Sequence, residues 1–198
     1  GFLLLAEAIR LLYERDLLRG IELRLQCCAR AGAPLLTGAC DALRRMNAKN
    51  IHLISSVLSQ EAYYRLLGET DIVLLPYRQW EYSANTSGPF VEALAAGKPV
   101  VVTEDTWMSR QLKRYGAGVV FRDGDAEDLA RATLEAARRR TELSTQALAR
   151  RSAWTGIHTP KVFFQRLLAQ ETRNLNGETP HPPVRPTPPN VSEIIPQG

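Results

Sequence analysis

The chain has 198 residues, is 44% hydrophobic and carries a net charge of +4, enough apolar content for one good core and one domain. No apolar run approaches the roughly 20 residues needed to span a bilayer. The 3 cysteines, Cys27, Cys28 and Cys40, form an odd set without CxxC spacing, which excludes a four-ligand zinc site and reads as reduced thiols in a cytoplasmic protein.

Residues 2–18 place Phe2, Leu5, Ile9, Leu12 and Leu17 at near-helical spacing, and Gly20 ends the pattern. No basic stretch leads this apolar run, so a signal peptide has no support. Residues 21–27 alternate apolar and polar, the period of a strand. A loop is expected over 29–37 and a short amphipathic helix over 40–46. Residues 51–55 read as the next strand, followed by the loop Ser56, Val57, Leu58. Ser59 with Glu61 starts a helix over 60–67 that Gly68 stops.

The next stretch organises the chain. Residues 72–75 and 99–102 are short, branched-aliphatic runs of the kind buried on both faces of a parallel sheet. Between them a polar loop leads into Ser87-Gly88-Pro89-Phe90-Val91-Glu92, a helix with its punctuation in place. Ser87 can cap it, Pro89 suits its first turn and Gly97 suits its left-handed end. The amides of residues 86–90 then point out of a helix start, where the macrodipole favours an anion. In open parallel sheets ligands sit beyond the carboxyl ends of the strands, where this loop must lie. Glu92, one turn further on, can accept two hydrogen bonds from a vicinal diol. Phosphate and diol together describe a nucleotide.

After Thr103, a helix is expected from Trp107 to Tyr115, capped by Glu104 or Asp105 and ended by Gly116. A strand over 118–121 follows, then a helix capped by Asp125 with acidic residues in its first turn. Trp107 reads as core and Lys98 as solvated. Residues 141–151 and 159–170 read as two further helices, the last with Val162, Phe163, Leu167 and Leu168 on one face. Arg138, Arg139, Arg140, Arg150 and Arg151 read as a solvated helix face rather than a surface for lipid or nucleic acid. From residue 172 the composition changes: 7 of the 12 prolines lie between Pro180 and Pro196, the mark of a disordered tail. His52, His158 and His181 share no metal-binding spacing, and no serine or cysteine sits in a nucleophile elbow.

The run EALAAGKPVVVT, with YGAGVVF and DAEDLARAT after it, resembles the nucleotide-sugar-binding half of a GT-B glycosyltransferase, closest to the retaining family 4 group. The resemblance runs from about Gly1 to about Gln170, and the domain it implies spans residues 1–171. It implies a three-layer, Rossmann-like α/β domain with a parallel sheet, a helical C-terminal extension and the tail over 172–198. It implies a hexosyltransferase-type enzyme of which this chain is a fragment. The strand feeding the first helix is missing, as are the lysine directly before Gly1 and the arginine of the preceding loop that neutralise the donor diphosphate. A nucleotide-diphosphate sugar would be bound by Asn85, Thr86, Ser87, Gly88 and Glu92, with the backbone around Val57 holding the base. Tyr77 either lines the site or packs its loop. No metal or cofactor is implied. Catalytic residues and acceptor contacts would belong to a missing N-terminal domain, and the acceptor is a glycan, a lipid or a small molecule. A peripheral membrane association is left open.

One departure bears on mechanism. The family's loop carries two glutamates seven residues apart, and counting back from Glu92 gives Ala84; Glu81 stands three residues earlier. Two other readings stay open: a nucleotide-sugar epimerase of the same fold, and a non-catalytic nucleotide-binding or interaction module.

Overall fold

In the computed structural model, which describes residues 1–27, 33–158 and 162, branched-aliphatic runs become strands wherever helices cover both faces. The order is α1 (Phe2–Glu14), β1 (Leu23–Gln26), α2 (Pro34–Arg45), β2 (Ile51–Ile54), α3 (Gln60–Glu69), β3 (Val73–Leu75) and α4 (Gln79–Tyr82). Then follow α5 (Gly88–Ala95), β4 (Val100–Thr103), α6 (Trp107–Tyr115), β5 (Gly118–Phe121), α7 (Ala126–Arg138) and α8 (Arg140–Ile157). All ladders are parallel, as strand–helix–strand alternation requires.

β4 is buried along its whole length and pairs with β3 on one side and β5 on the other. Its side chains alternate between two cores. Val101 faces a core built with Ile9 and Leu12 of α1 and Leu129 of α7. Val100 and Val102 face the other, with Phe90 and Leu94 of α5, Met108 of α6 and Trp154 of α8. This is the three-layer α/β arrangement the sequence implies. Gly118 lets β5 approach, since a Cβ there would lie 1.9 Å from the Val100 carbonyl oxygen.

The sheet differs from the expectation in one respect. β1 pairs with β2, and β3, β4 and β5 pair among themselves, but no ladder joins β1 to β3. Their edges face a shared slot between the two sheets.

Several boundaries move for local reasons. α1 ends at Glu14, four residues before the apolar pattern does, because Asp16 takes a left-handed conformation (φ 52°) and turns the chain. α2 starts at Pro34, whose fixed φ suits a first turn, so the helix is longer than residues 40–46. α3 runs through Gly68 to Glu69, its exposed carbonyl end met by Lys98, whose Nζ donates to the Gly68 oxygen at 2.6 Å. The cap of α6 is Thr106 and not Glu104 or Asp105: its Oγ1 accepts the Ser109 amide at 3.1 Å. α8 continues past residue 151 to Ile157, held by Trp154, which is fully buried and donates Nε1–H to the Val91 oxygen at 3.0 Å. The helix expected over 159–170, apart from Val162, and the proline-rich tail lie outside the described residues.

Four of the five clustered arginines are paired at the surface of the fold. Arg139 pairs with Glu135 and Glu142, Arg140 with Asp71 at 3.3 Å, and Arg150 and Arg151 donate to the Gly116 and Ala95 carbonyls. No helix of the described residues is long and apolar enough to cross a membrane.

The cysteines correct the sequence reading. Cys27, at the end of β1, and Cys40, in α2, are joined in a disulfide with Cα atoms 7.2 Å apart. An odd count says nothing about which two side chains the crossover brings together. With two of the cysteines paired, thiol usage no longer points to a reducing compartment.

Reducing this bond, which joins residues 13 apart in sequence, should lower stability by about 2–3 kcal/mol in chemical denaturation. Thiol titration of the denatured, unreduced chain should find one reactive cysteine; three would show that the pair does not form. Trp154→Ala should cost about 3–5 kcal/mol through the lost core and the unpaired Val91 carbonyl, read from the denaturation midpoint.

Candidate functional site

The carboxyl ends of β3 and β4 and the start of α5 come together at one point. At the end of β4 the fully buried Thr103 turns its hydroxyl to the Tyr77 carbonyl oxygen, just past β3. This bond pins the β3 exit loop to the strand beside it. Tyr77 and Tyr82 then stack with ring centroids 4.4 Å apart, so the loop is packed as well as tied. Between them lies α4, which the sequence reading left as loop. Arg110 of α6 donates to the carbonyls of Ser83 and Asp105, fixing the far side of the loop.

α5 begins as its sequence suggests. Ser87 Oγ accepts the Phe90 amide at 3.2 Å, Pro89 occupies the first turn, and Gly97 ends the helix with φ 69°. Ser87 itself is only 3% exposed. Its hydroxyl serves the cap and the neighbouring Tyr77 phenol, so it shapes the helix start rather than reaching into solvent. Asn85, Thr86 and Gly88 are exposed, and a Cβ built on Gly88 meets open space. With the Phe90 amide used by the cap, the amides of Thr86, Ser87 and Gly88 remain without a partner among the described residues. Asn85 is tied back by its side-chain amide to the Glu81 carbonyl at 2.7 Å.

Glu92 lies one turn into α5, half-buried. Tyr63 of α3 donates its hydroxyl to Glu92 Oε2 at 2.7 Å. Burial, and then this hydrogen bond to a carboxylate, hold the Tyr63 phenol well above its ordinary pKa, so it stays a donor. Oε1 has no partner among the described residues. The Tyr77 phenol is also raised, mainly by burial and by Tyr82, against an opposing hydrogen bond with Ser87. Tyr77 thus packs the loop, stacked on Tyr82.

Two residues of the site were not foreseen. Tyr63 had no signal beyond its place on a helix. Arg78 follows Tyr77 and sits near the start of α1, where its charge helps lower the pKa of the Gly1 amino group, burial being the larger cause. Arg78 Nε lies 3.1 Å from Asp123 Oδ1, an ion pair that does not align as a hydrogen bond. Glu81 acts on the same amino group in the opposite sense. Ala84, where a second carboxylate would fall, is exposed. Val57 stands on the β2–α3 loop with 83% of its surface exposed. Trp107 packs edge-on against Phe90 at 5.6 Å, in the core as expected. Among the described residues no three His, Cys, Asp or Glu side chains group so as to hold a metal ion.

Solved structures share this fold. The Anabaena protein Alr3699/HepE in complex with UDP-glucose matches at 14% identity and a TM-score of 0.65, over 85% of this chain and 44% of that one. A glycosyltransferase from Rickettsia africae matches at 15% identity and a TM-score of 0.68, over 90% and 45%. Sucrose-phosphate synthase from Thermosynechococcus elongatus matches at 13% identity and a TM-score of 0.65, over 90% and 43%. At these identities the likeness is one of fold, that of GT-B glycosyltransferases. The chain spans less than half the length of each of these structures. No curated protein matches it. A sequence match over residues 1–139 takes in all five strands, both cores apart from their α8 members and the start of α5, and on that ground the chain belongs to the family of glycosyl transferases group 1.

Proposed function

We propose that the crevice at the start of α5 binds a nucleoside-diphosphate sugar, and that the chain is the donor-binding part of an enzyme transferring a hexosyl group to an acceptor. The observation that carries this reading is the pairing of an open helix start with a carboxylate one turn further in. The amides of Thr86, Ser87 and Gly88 lack partners, and Glu92 keeps Oε1 free while Oε2 is held by Tyr63. Diphosphate oxygens would take the amides and the ribose diol would take Glu92. The UDP-glucose and UDP bound to the Anabaena protein fit this assignment by analogy of fold.

The chemistry asked of these residues is electrostatic. As the glycosidic bond breaks, negative charge grows on the leaving diphosphate, and amides already aimed at it stabilise that charge without rearranging. Arg78, beside the start of α1, is assigned to the same task. No metal is needed in this scheme. Acceptor binding and any acid or base would come from a second domain packed over the crevice. Val57, on its exposed loop, is assigned to the base through backbone contacts.

A non-catalytic nucleotide-binding module is the second reading. Ala84 at the place of the first carboxylate favours it, because no acidic side chain then faces the donor sugar from that position.

Calorimetry with UDP, GDP and free glucose should show binding of at least one nucleotide and none of the sugar. Absence of nucleotide binding at millimolar concentration would remove the donor-site reading. Glu92→Ala should weaken nucleotide binding by about 1–3 kcal/mol through loss of a charged acceptor. Tyr63→Phe frees Glu92 to rotate and should weaken UDP about threefold to tenfold, with 2′,3′-dideoxy-UDP unaffected. Equal losses for both ligands would show that Tyr63 acts on something other than the diol contact.

A further inference from the structure

Among the described residues one buried side-chain atom has no hydrogen-bond partner: Asp123 Oδ1, in the turn between β5 and α7. Buried acceptors are normally paired, so this oxygen asks for a donor. Its chain neighbours do not supply one. Arg122 turns to Asp125 at 2.8 Å and to Asp128 at 3.6 Å, while Asp125 caps α7 by accepting the Asp128 amide. Asp123 instead reaches across to Arg78, on the loop after β3, whose Nε lies 3.1 Å away but out of line for a hydrogen bond. The two loops stand on either side of β4, and both are tied to its end. The Tyr77 carbonyl takes the Thr103 hydroxyl, and the Phe121 carbonyl takes the Glu104 amide at 2.8 Å. The Arg78 side chain is 46% exposed against 21% for Asp123, so its guanidinium is open to a ligand. No N–H of that guanidinium makes an aligned hydrogen bond among the described residues. A Cβ built on Gly124 would lie 4.0 Å from Arg78 Nη2, so the guanidinium lies over the one residue of the turn without a side chain to crowd it.

We propose that Asp123 is a positioning residue: it holds the Nε edge of Arg78 so that the two terminal nitrogens form a fork for the diphosphate of the donor. This deepens the nucleotide reading above and rests on it. An arginine has donors on two edges, and a carboxylate on the Nε edge leaves the end fork free for a phosphate. A small turn of the guanidinium brings Nε–H into line with Oδ1. The orphaned oxygen then gains its donor, and the terminal N–H groups face outward as a planar pair matched to phosphate oxygens. Without the carboxylate, the long side chain samples many rotamers and has to be ordered by the ligand. With it, most of that ordering precedes binding. The geometry does not suit a strut between the two loops. A partly exposed, misaligned ion pair contributes little to stability, and a buried oxygen without a donor opposes it. The two roles differ in what removal of the Asp123 charge would change: stability for a strut, diphosphate binding for a positioning residue.

Calorimetry with UDP and with uridine is run on the unmodified chain, Asp123→Asn, Arg78→Lys and the double variant. Asp123→Asn should weaken UDP about threefold to tenfold and uridine less than about twofold, with the denaturation midpoint unchanged. In the Arg78→Lys background, where the fork is gone, Asp123→Asn should change UDP affinity no further. Equal losses for the two ligands, no loss of UDP affinity, or full additivity in the double variant overturns the proposal and leaves the donor-site reading standing. If the unmodified chain takes no nucleotide, the donor-site reading falls. In that case, or if Asp123→Asn does not fold, pyrophosphate decides on the unmodified chain. Its binding should bring the Arg78 Nε–H, assigned by its loss in Arg78→Lys, into slow exchange as a sharp NMR signal with a nuclear Overhauser contact to the Asp123 β-protons. Absence of that signal, or of the contact, overturns the proposal.

Discussion

Complete burial of β4 is the constraint on which the rest of the structure depends. Val100, Val101, Val102 and Thr103 expose nothing to solvent, which requires a strand on each side and a helical layer on each face. β3 and β5 satisfy its backbone groups, and α1 with α7 on one face and α5, α6 with α8 on the other cover its side chains. The strand ends in a threonine for a reason of the same kind. A buried hydroxyl must find a partner, and the Tyr77 carbonyl supplies it. That bond transmits the position of the core to the crevice loop. Thr106 repeats the device, donating to the Thr103 carbonyl at 2.7 Å while capping α6.

The crevice built on this frame has a division of labour. Ser87 is buried and fixes where α5 starts, while its neighbours Thr86 and Gly88 are exposed and present the amides. The same separation holds at Glu92, where one carboxylate oxygen is held by Tyr63 and the other is left over. A half-buried carboxylate with a single phenolic partner keeps unused acceptor capacity, and a ligand diol is a group that can use it. The positive charge of Arg78, offset by Asp123, reaches the same region from the other side. Charge and hydrogen-bonding capacity thus converge at the carboxyl ends of β3 and β4.

A slot separates the β1-β2 sheet from the β3-β4-β5 sheet. Tyr63, Tyr77, Pro89 and Gly1 are among the residues that line it, so the slot borders the start of α5.

What the sequence determined by itself is the part governed by short-range rules. Ser87 capping α5, Gly97 ending it, Ser59 capping α3 and Asp125 capping α7 are interactions across three or four residues, legible because the partners are fixed by the helix itself. The strands were legible from aliphatic runs that only a doubly covered sheet tolerates, and the family from one such run with its helix. What only the tertiary structure decided are contacts between elements. Tyr63 meets Glu92 across 29 positions and Trp154 meets Val91 across 63. Cys27 reaches Cys40, and β1 fails to reach β3, for the same reason. Spacing along one element says which face a side chain is on. Which face of another element lies opposite follows from how the two pack, and that is set by the summed burial of the whole chain rather than by any local stretch of it.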